Sequence, residues 1–308
     1  MTQTPIGPVG QPRSVGFVGL GAMGSRMAGR LLAAGYTVHG TNRTRARAEA
    51  LIERGLQWCD TPREVARAAQ VTISMIADDT ALEAITTGPD GILAGLTPGH
   101  IHIDMSTVSP STSRALAEQF RAHGADLLDA PVSGSIPAAE AGSLVIVVGG
   151  EEAAFRRVEP LLRELGGTVT RIGPNGQGLL LKLAINISLS AQTLAFSEGV
   201  LLAERGGIDR KLAVNAMAAS AIGSPAVRAR GPLILDLPDQ AWFDVALMQK
   251  DIRLALDAGR SLGTPLPSAA LNDQVLTQAR DLGYEHRDIA AFFEVLARSA
   301  AEPDQERE

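Results

Sequence analysis

The sequence predicts an α/β fold in two parts: a doubly wound, mainly parallel sheet, then an all-α C-terminal domain. Three observations carry this. Residues 14–174 alternate short β-branched runs with helical stretches that end at glycine, the pattern of strands joined by crossover helices. After Gly173-Pro174-Asn175-Gly176 the strand signal stops and helical spacing takes over. A chain of 308 residues has room for about two domains at roughly 150 residues each.

Taken in order, residues 15–19 read as a strand, 23–34 as a helix stopped by Gly35, and 37–41 as a second strand. Residues 44–54 read as a helix with Thr44 as N-cap and Gly55 as its stop. The apolar runs at 71–77, 100–106, 127–132, 144–150 and 168–173 supply further strands. The last of these have shorter connections and are expected to be partly antiparallel. A single helix is expected over 177–205, ending at Gly206-Gly207; at 1.5 Å per residue it would be ~43 Å long. Further helices are expected at 209–220, 243–262, 267–282 and 287–300. The domains are therefore a loose, flexible tail at 1–13, a sheet domain at 14–174 and a helical domain at 175–308.

Composition narrows the function classes. The net charge is −6, so a surface that tracks phosphates along a nucleic acid is not expected. The most apolar stretch, residues 179–196, contains Lys182, Asn186, Ser188, Ser190 and Gln192. A membrane-spanning helix would not carry so many polar groups, so this stretch reads as a buried helix and no membrane partner is expected. The single cysteine, Cys59, cannot form an internal disulfide. With the opening residues lacking a basic-then-apolar targeting pattern, a cytoplasmic location is expected.

The first chemical motif is Gly19-Leu20-Gly21-Ala22-Met23-Gly24, a G-x-G-x-x-G between a strand and a helix. That context makes it a dinucleotide fingerprint of Rossmann type: Gly19 permits the tight turn, Gly21 lets a pyrophosphate approach, and Gly24 lets helix and strand pack. Free N–H groups at the helix start would hold the phosphates. After the second strand, an acidic residue would select NAD. The chain instead has Asn42-Arg43-Thr44-Arg45-Ala46-Arg47. Asn42, Arg43 and Thr44 suit a 2′-phosphate, with Arg45 or Arg47 assisting, so NADP is the expected cofactor and NAD the alternative.

Lysine usage points to the second site. Only Lys182, Lys211 and Lys250 among the 28 basic residues are lysine. Arginine stays protonated, whereas a desolvated lysine can exchange a proton, which makes Lys182 a candidate acid/base. Gly178, Lys182, Asn186 and Ser190 are spaced by four and share a helix face with Thr193 and Ser197. A polar stripe on so apolar a helix calls for a wet cleft, a ligand or a subunit partner. Ser133, Gly134 and Ser135, in Asp129-Ala130-Pro131-Val132-Ser133-Gly134-Ser135, could hold a carboxylate through the hydroxyl and backbone N–H groups. The five histidines are scattered or alternate along one strand, and no metal site is expected.

In order along the chain, the 19–24 turn, Asp104-Met105-Ser106-Thr107, Asp129-Ala130-Pro131-Val132-Ser133-Gly134, Gly178-x-x-x-Lys182-x-x-x-Asn186 and Lys250-Asp251 resemble the β-hydroxyacid dehydrogenase family. The likeness extends over nearly the whole chain, to its 3-hydroxyisobutyrate dehydrogenase-like members. It implies Lys182 as catalytic acid/base and Asn186 as the residue that places the substrate beside it. It further implies Ser133 and Gly134 in the substrate loop, Thr107 at a cofactor contact and Lys250 near cofactor and substrate. A small carboxylate substrate and homodimers or homotetramers built through the helical domain are implied as well. Ser133-Gly134-Ser135 replaces the Ser-Gly-Gly of many relatives. With Asn42-Arg43-Thr44 and Ser197-Glu198-Gly199, it looks nearer to the NADPH-dependent glyoxylate/succinic semialdehyde reductases than to 3-hydroxyisobutyrate dehydrogenases. Tartronate semialdehyde is a further candidate. The expected activity is hydride transfer between NADP(H) and a small carboxylated aldehyde or its hydroxyacid; the alternatives are an imine or promiscuous carbonyl reductase, or an inactive cofactor-binding scaffold.

Overall fold

A computed structural model describes residues 14–299. The tail at 1–13, the end of the chain and residue 300 of the last expected helix lie outside the described residues. Contacts divide the chain into a first compact unit ending at Lys182 and a second beginning at Leu183. The change from mixed to all-helical structure comes slightly earlier, between Gly173 and Gln177.

The first unit runs β1 Ser14–Val18, α1 Ala22–Ala33, β2 Thr37–Thr41, α2 Glu49–Glu53, β3 Gln57–Trp58, α3 Pro62–Ala68, β4 Val71–Ser74 and α4 Asp79–Thr87. It continues with β5 Ile101–Asp104, α5 Pro110–Ala122, β6 Asp126–Asp129, β7 Val132–Ser133, α6 Ile136–Ala141, β8 Val145–Gly149, α7 Glu152–Leu165 and β9 Thr168–Gly173. The strand order is β3-β2-β1-β4-β5-β6-β8-β7, with β9 added on β8. The first six strands in that order are parallel. β8 runs antiparallel to β6 and β7 and parallel to β9, so the last strands are partly antiparallel, as expected. Val15, Phe17, Ile73, Ile103 and Leu128 are fully buried, consistent with a sheet covered on both faces. Strand order, though not strand direction, switches at β1, with β2 and β3 on one side and β4 to β6 on the other, and such a switch point opens a crevice at the carboxyl ends of the strands.

Two local expectations are corrected. Residues 44–54 are not one α-helix: a 3₁₀ turn at Arg45–Ala48 precedes α2, and the Thr44 side chain makes no capping bond. The Arg47 N–H donates to the Thr44 carbonyl, which closes the tighter i+3 turn instead. The two-residue β3 lies below the length that periodicity can register.

α8 Gln177–Arg205 belongs to both units, because the division falls inside it. Its most apolar window has a mean hydropathy of 1.5, long and apolar enough by composition to cross a membrane, and 44% of that window is buried. The second unit adds α9 Arg210–Ala219, α10 Pro225–Leu235, α11 Val245–Ser261, α12 Pro267–Asp281 and α13 Phe292–Ser299. α10 falls in the stretch between residues 220 and 243, where no element was expected, and it contains Gly231 and Pro232, both weak helix formers. It begins with a Ser224 cap that accepts from the Val227 N–H and a proline in the first turn. Its buried Val227, Gly231 and Ile234 then pack it in place.

Candidate active site

In the first unit, the 19–24 turn is built for a close-approaching group. Gly19 has φ +94°, and a Cβ there would lie 2.4 Å from the Met75 carbonyl oxygen. A Cβ on Gly24 would lie 2.0 Å from the Gly19 oxygen, whereas nothing stands within 4 Å of the equivalent point on Gly21. Thus two glycines are required by packing, and the third leaves open space where a pyrophosphate would approach. Leu20, Ala22 and Met23 complete the turn, and the first turn of α1 has neither an acidic residue nor a side-chain cap. Its N–H groups are therefore available in kind for an anion. The residues fit a dinucleotide.

Asn42 braces this turn. Its Oδ1 accepts from the Leu20 N–H at 3.0 Å and its Nδ2 donates to the Thr44 oxygen at 2.9 Å. Arg43 and Thr44 are exposed beside it. The amide is thus largely occupied in shaping the loop, leaving Arg43 and Thr44 as the groups best placed for a 2′-phosphate. Arg45 lies 5.2 Å from the Trp58 ring centre, a cation–π contact.

The segments that follow the central strands β4 and β5 are stapled to each other. Ser106 Oγ accepts from the Ile76 N–H at 3.0 Å, and Asp79 accepts from the Ser109 N–H at 3.0 Å. Thr107 sits between these two staples, half-buried.

Asp129 sets the start of α8. It is completely buried, and accepts from the Gly176 N–H at 2.8 Å, the Leu179 N–H at 3.1 Å and Ser113 Oγ at 3.3 Å. Burial pushes its carboxyl above the usual range, and the bonds from Gly176 and Leu179 oppose that shift. A Cβ on Gly178 would meet the Val147 and Asp129 oxygens at 2.7 and 2.8 Å. Gly178 is therefore demanded by packing. Four residues on, Lys182 is 8% exposed. Ser133 ends β7 and is half-buried, Gly134 follows with φ +132°, and Ser135 precedes α6. A Cβ on Gly134 would come within 2.9 Å of Ala138 and Leu144, so this turn also depends on glycine.

In the second unit, Asn186, one helical turn beyond Lys182, is 1% exposed and donates from Nδ2 to Asp251 Oδ2 at 2.6 Å. The other oxygen of Asp251 lies 2.8 Å from Lys250 Nζ. Gln249 fixes the rotation of this part of α11: its Nε2 donates to Asp273 Oδ1 and Thr277 Oγ1, and its Oε1 accepts from Arg280. The remainder of the polar stripe finds hydrogen-bond partners within the chain. Ser190 Oγ donates to Asn272 Oδ1 at 2.7 Å, and Thr193 and Ser197 donate to carbonyls of their own helix. Sequence reasoning assigns Asp251 only the orientation of its segment and gives Asp129 no role; the one signal for Asp129 is an acidic residue inside its motif.

A glycine turn at a sheet switch point that fits a dinucleotide, with a buried lysine and asparagine one turn apart on a following helix, is the arrangement of a pyridine-nucleotide oxidoreductase. Known proteins agree. Residues 14–173 match the NAD binding domain of 6-phosphogluconate dehydrogenase, and residues 176–296 match the NAD-binding domain of NADP-dependent 3-hydroxyisobutyrate dehydrogenase. Glyoxylate/succinic semialdehyde reductase 2 of Arabidopsis thaliana is 32% identical over 92% of this chain and 79% of its own. The 2-hydroxy-3-oxopropionate reductase of Escherichia coli is 33% identical over 92% of this chain and 96% of its own. The solved structure of Psf3 with NADP+ and 2-OPP superposes with a TM-score of 0.85 at 31% identity, covering 92% of this chain and 99% of that one. The chain belongs to the 3-hydroxyisobutyrate dehydrogenase-like family of NAD(P)-dependent β-hydroxyacid dehydrogenases.

Proposed function

We propose that this protein interconverts a small carboxylated aldehyde and its hydroxyacid with NADP(H), of the glyoxylate, succinic semialdehyde, tartronate semialdehyde or 3-hydroxyisobutyrate type. The observation that carries this is the pair on α8: Lys182, buried, one turn from Asn186, whose amide is already fixed by Asp251. Bound NADPH supplies the hydride. Lys182 Nζ, as the ammonium, gives its proton to the carbonyl oxygen, and in the oxidising direction the neutral amine takes the hydroxyl proton. Asn186 orients the oxygen for that transfer. Ser133 Oγ and the Gly134 N–H hold the carboxylate away from the reacting carbon.

The same reading takes the protein to be cytoplasmic, in keeping with its one free cysteine, and to assemble as a homodimer or homotetramer. Less than half of the most apolar window of α8 is buried, and Leu180, Leu181 and Leu202 on that helix remain exposed. A second copy of the chain is the occupant that would cover them.

The experiment is NADPH consumption against glyoxylate, succinic semialdehyde, tartronate semialdehyde and a cyclic imine, with 3-hydroxyisobutyrate and NADP+ in reverse. Turnover of at least one carboxylated compound, with none on the imine, is expected. Turnover of the imine alone would replace this reading with an imine reductase, and tight NADPH binding without turnover would replace it with a scaffold.

A further inference from the structure

Beside the crevice, β4 and β5 enclose a chain of hydrogen-bonded side chains that the proposed chemistry does not use. Thr72, Ser74, His100, His102, Asp104 and Ser106 are all buried, none more than 1% exposed. Ser74 Oγ and Ser106 Oγ each donate to Asp104 Oδ1 at 2.7 Å, and the Ser106 N–H adds a longer bond at 3.3 Å.

Proton counting orients the rest. Ser74 has spent its one proton on Asp104, so at 3.1 Å it accepts from His102 Nε2–H. Burial pushes the His102 imidazole down to about 3, so the ring is neutral and its Nδ1 is bare. Nδ1 accepts from Thr72 Oγ1 at 2.8 Å, and Thr72 in turn accepts from His100 Nε2–H at 3.0 Å. Each proton in the relay therefore points toward Asp104. Phe120 of α5 stacks on the His102 ring at 5.3 Å and closes that side.

The output is on the crevice side. Ser106, while donating to Asp104, accepts from the Ile76 N–H. Ile76 and Met75 are the atoms against which the Gly19 turn is pressed, with the Met75 oxygen and Ile76 Cγ2 at 2.4 and 2.9 Å from a Cβ built on Gly19. We propose that Asp104, kept as a carboxylate by this buried relay, is a positioning residue for the dinucleotide: through Ser106 it holds Ile76 and Met75 as the wall that gives the Gly19 turn its shape. The proposal rests on the 19–24 turn being the phosphate site.

The wall should loosen when Asp104 takes a proton, because the charge-assisted bonds from Ser74 and Ser106 become ordinary ones. Burial pushes this carboxyl up to about 6, its bonds from Ser74 and Ser106 hold it down, and the like charge of Asp129 on β6 raises it further. The other facing groups are His102 and His100 on its own side of the sheet, both neutral above about pH 4. β4 presents the uncharged Thr72 and Ser74.

The test is the dissociation constant of NADPH, read by fluorescence titration from pH 5.5 to 8, for wild type, Asp104→Asn, Ser106→Ala and Ser106→Thr. The 2′-phosphate titrates alike in all four, so differences between them report on the relay. Ser106→Ala should bind NADPH roughly tenfold more weakly at pH 7.5, while Ser106→Thr, which keeps the hydroxyl, should bind as wild type. Wild type should lose affinity below about pH 6 and Asp104→Asn should not share that loss. Wild-type affinity in both Ser106→Ala and Asp104→Asn, with the same pH dependence, would overturn the proposal alone. If neither variant folds, NADH on the wild type, free of the 2′-phosphate, decides: a flat dissociation constant across this range would overturn it. Failure of the wild type to bind either dinucleotide would overturn the phosphate-turn reading and this proposal with it.

Discussion

Asn186 and Asp251 form a 2.6 Å hydrogen bond between α8 and α11, with both side chains buried. The contact fixes which way the asparagine amide faces: Nδ2 is committed to the carboxylate, so Oδ1 lies on the other side. It also joins two motif residues through one group, since Lys250 Nζ lies against the second Asp251 oxygen. An asparagine that must orient a substrate oxygen gains from being locked before the substrate arrives.

Asp251→Asn should therefore reduce kcat by about 10- to 100-fold, the range for loss of a hydrogen bond to a charged group. The KM for NADPH should change far less than kcat, because the 19–24 turn is braced by Asn42 and not by Asp251. Steady-state kinetics alongside a thermal melt checks this. Loss of the folded state alone, with normal kcat per folded molecule, would make Asp251 structural only.

Cofactor choice should follow Arg43. Wild type is expected to favour NADPH in kcat/KM, and Arg43→Asp should move the NADPH/NADH ratio toward NADH by the equivalent of about 1.5–3 kcal/mol. Asn42→Ala should instead weaken both cofactors, since Asn42 braces the Leu20 N–H. Equal use of both cofactors by the wild type would refute the assignment.

The limits of what the sequence could tell are physical. Glycine stops and β-branched runs are local signals, so the doubly wound sheet was legible, and α8 is observed at Gln177–Arg205 as expected. α10 was hidden because its stability comes from packing around Gly231 and Pro232, not from propensity. The polar stripe was visible, but its partners were not. Ser190 reaches Asn272 and Asn186 reaches Asp251 across separations of 82 and 65 residues, and periodicity carries no information at that range. The His102–Asp104 relay was invisible for the same reason: alternation along one strand places side chains on a face without naming what the next strand offers.

Stability should respond to acid in an unusual way. His100 and His102 are pushed down to about 4 and about 3, so they are neutral in the fold and charged when unfolded, and they remove stability as pH falls below about 6.5. Asp104, pushed up to about 6, is protonated earlier in the fold than out of it and gives stability back over the same fall. Between about pH 6 and 4 the unfolded chain holds about two of these protons and the native chain about one, so these groups contribute a loss of about 1.4 kcal/mol per pH unit. Asp104→Asn removes the opposing term and should steepen the slope by a similar amount. Urea unfolding at pH 6 and 5 reads both slopes; equal slopes would contradict the assignment.

Assembly should be visible directly. Light scattering at micromolar concentration is expected to return a dimer or tetramer mass, with an interface above about 2,000 Å². Leu202→Glu, at a site 76% exposed in the single chain, should shift it toward the monomer without unfolding α8. A monomeric wild type would refute the covered-helix reading.

The central claim is that Lys182 moves the proton, and comparing Lys182→Ala with Lys182→Arg tests it most directly. General acid–base help contributes about 10²–10⁴-fold, so Lys182→Ala should lower kcat by that order while NADPH still binds. Lys182→Arg keeps the charge but not the ability to release a proton, and should be almost as damaging. Near wild-type turnover in Lys182→Arg would contradict the account, leaving Lys182 as an anchor of charge and the proton to another group.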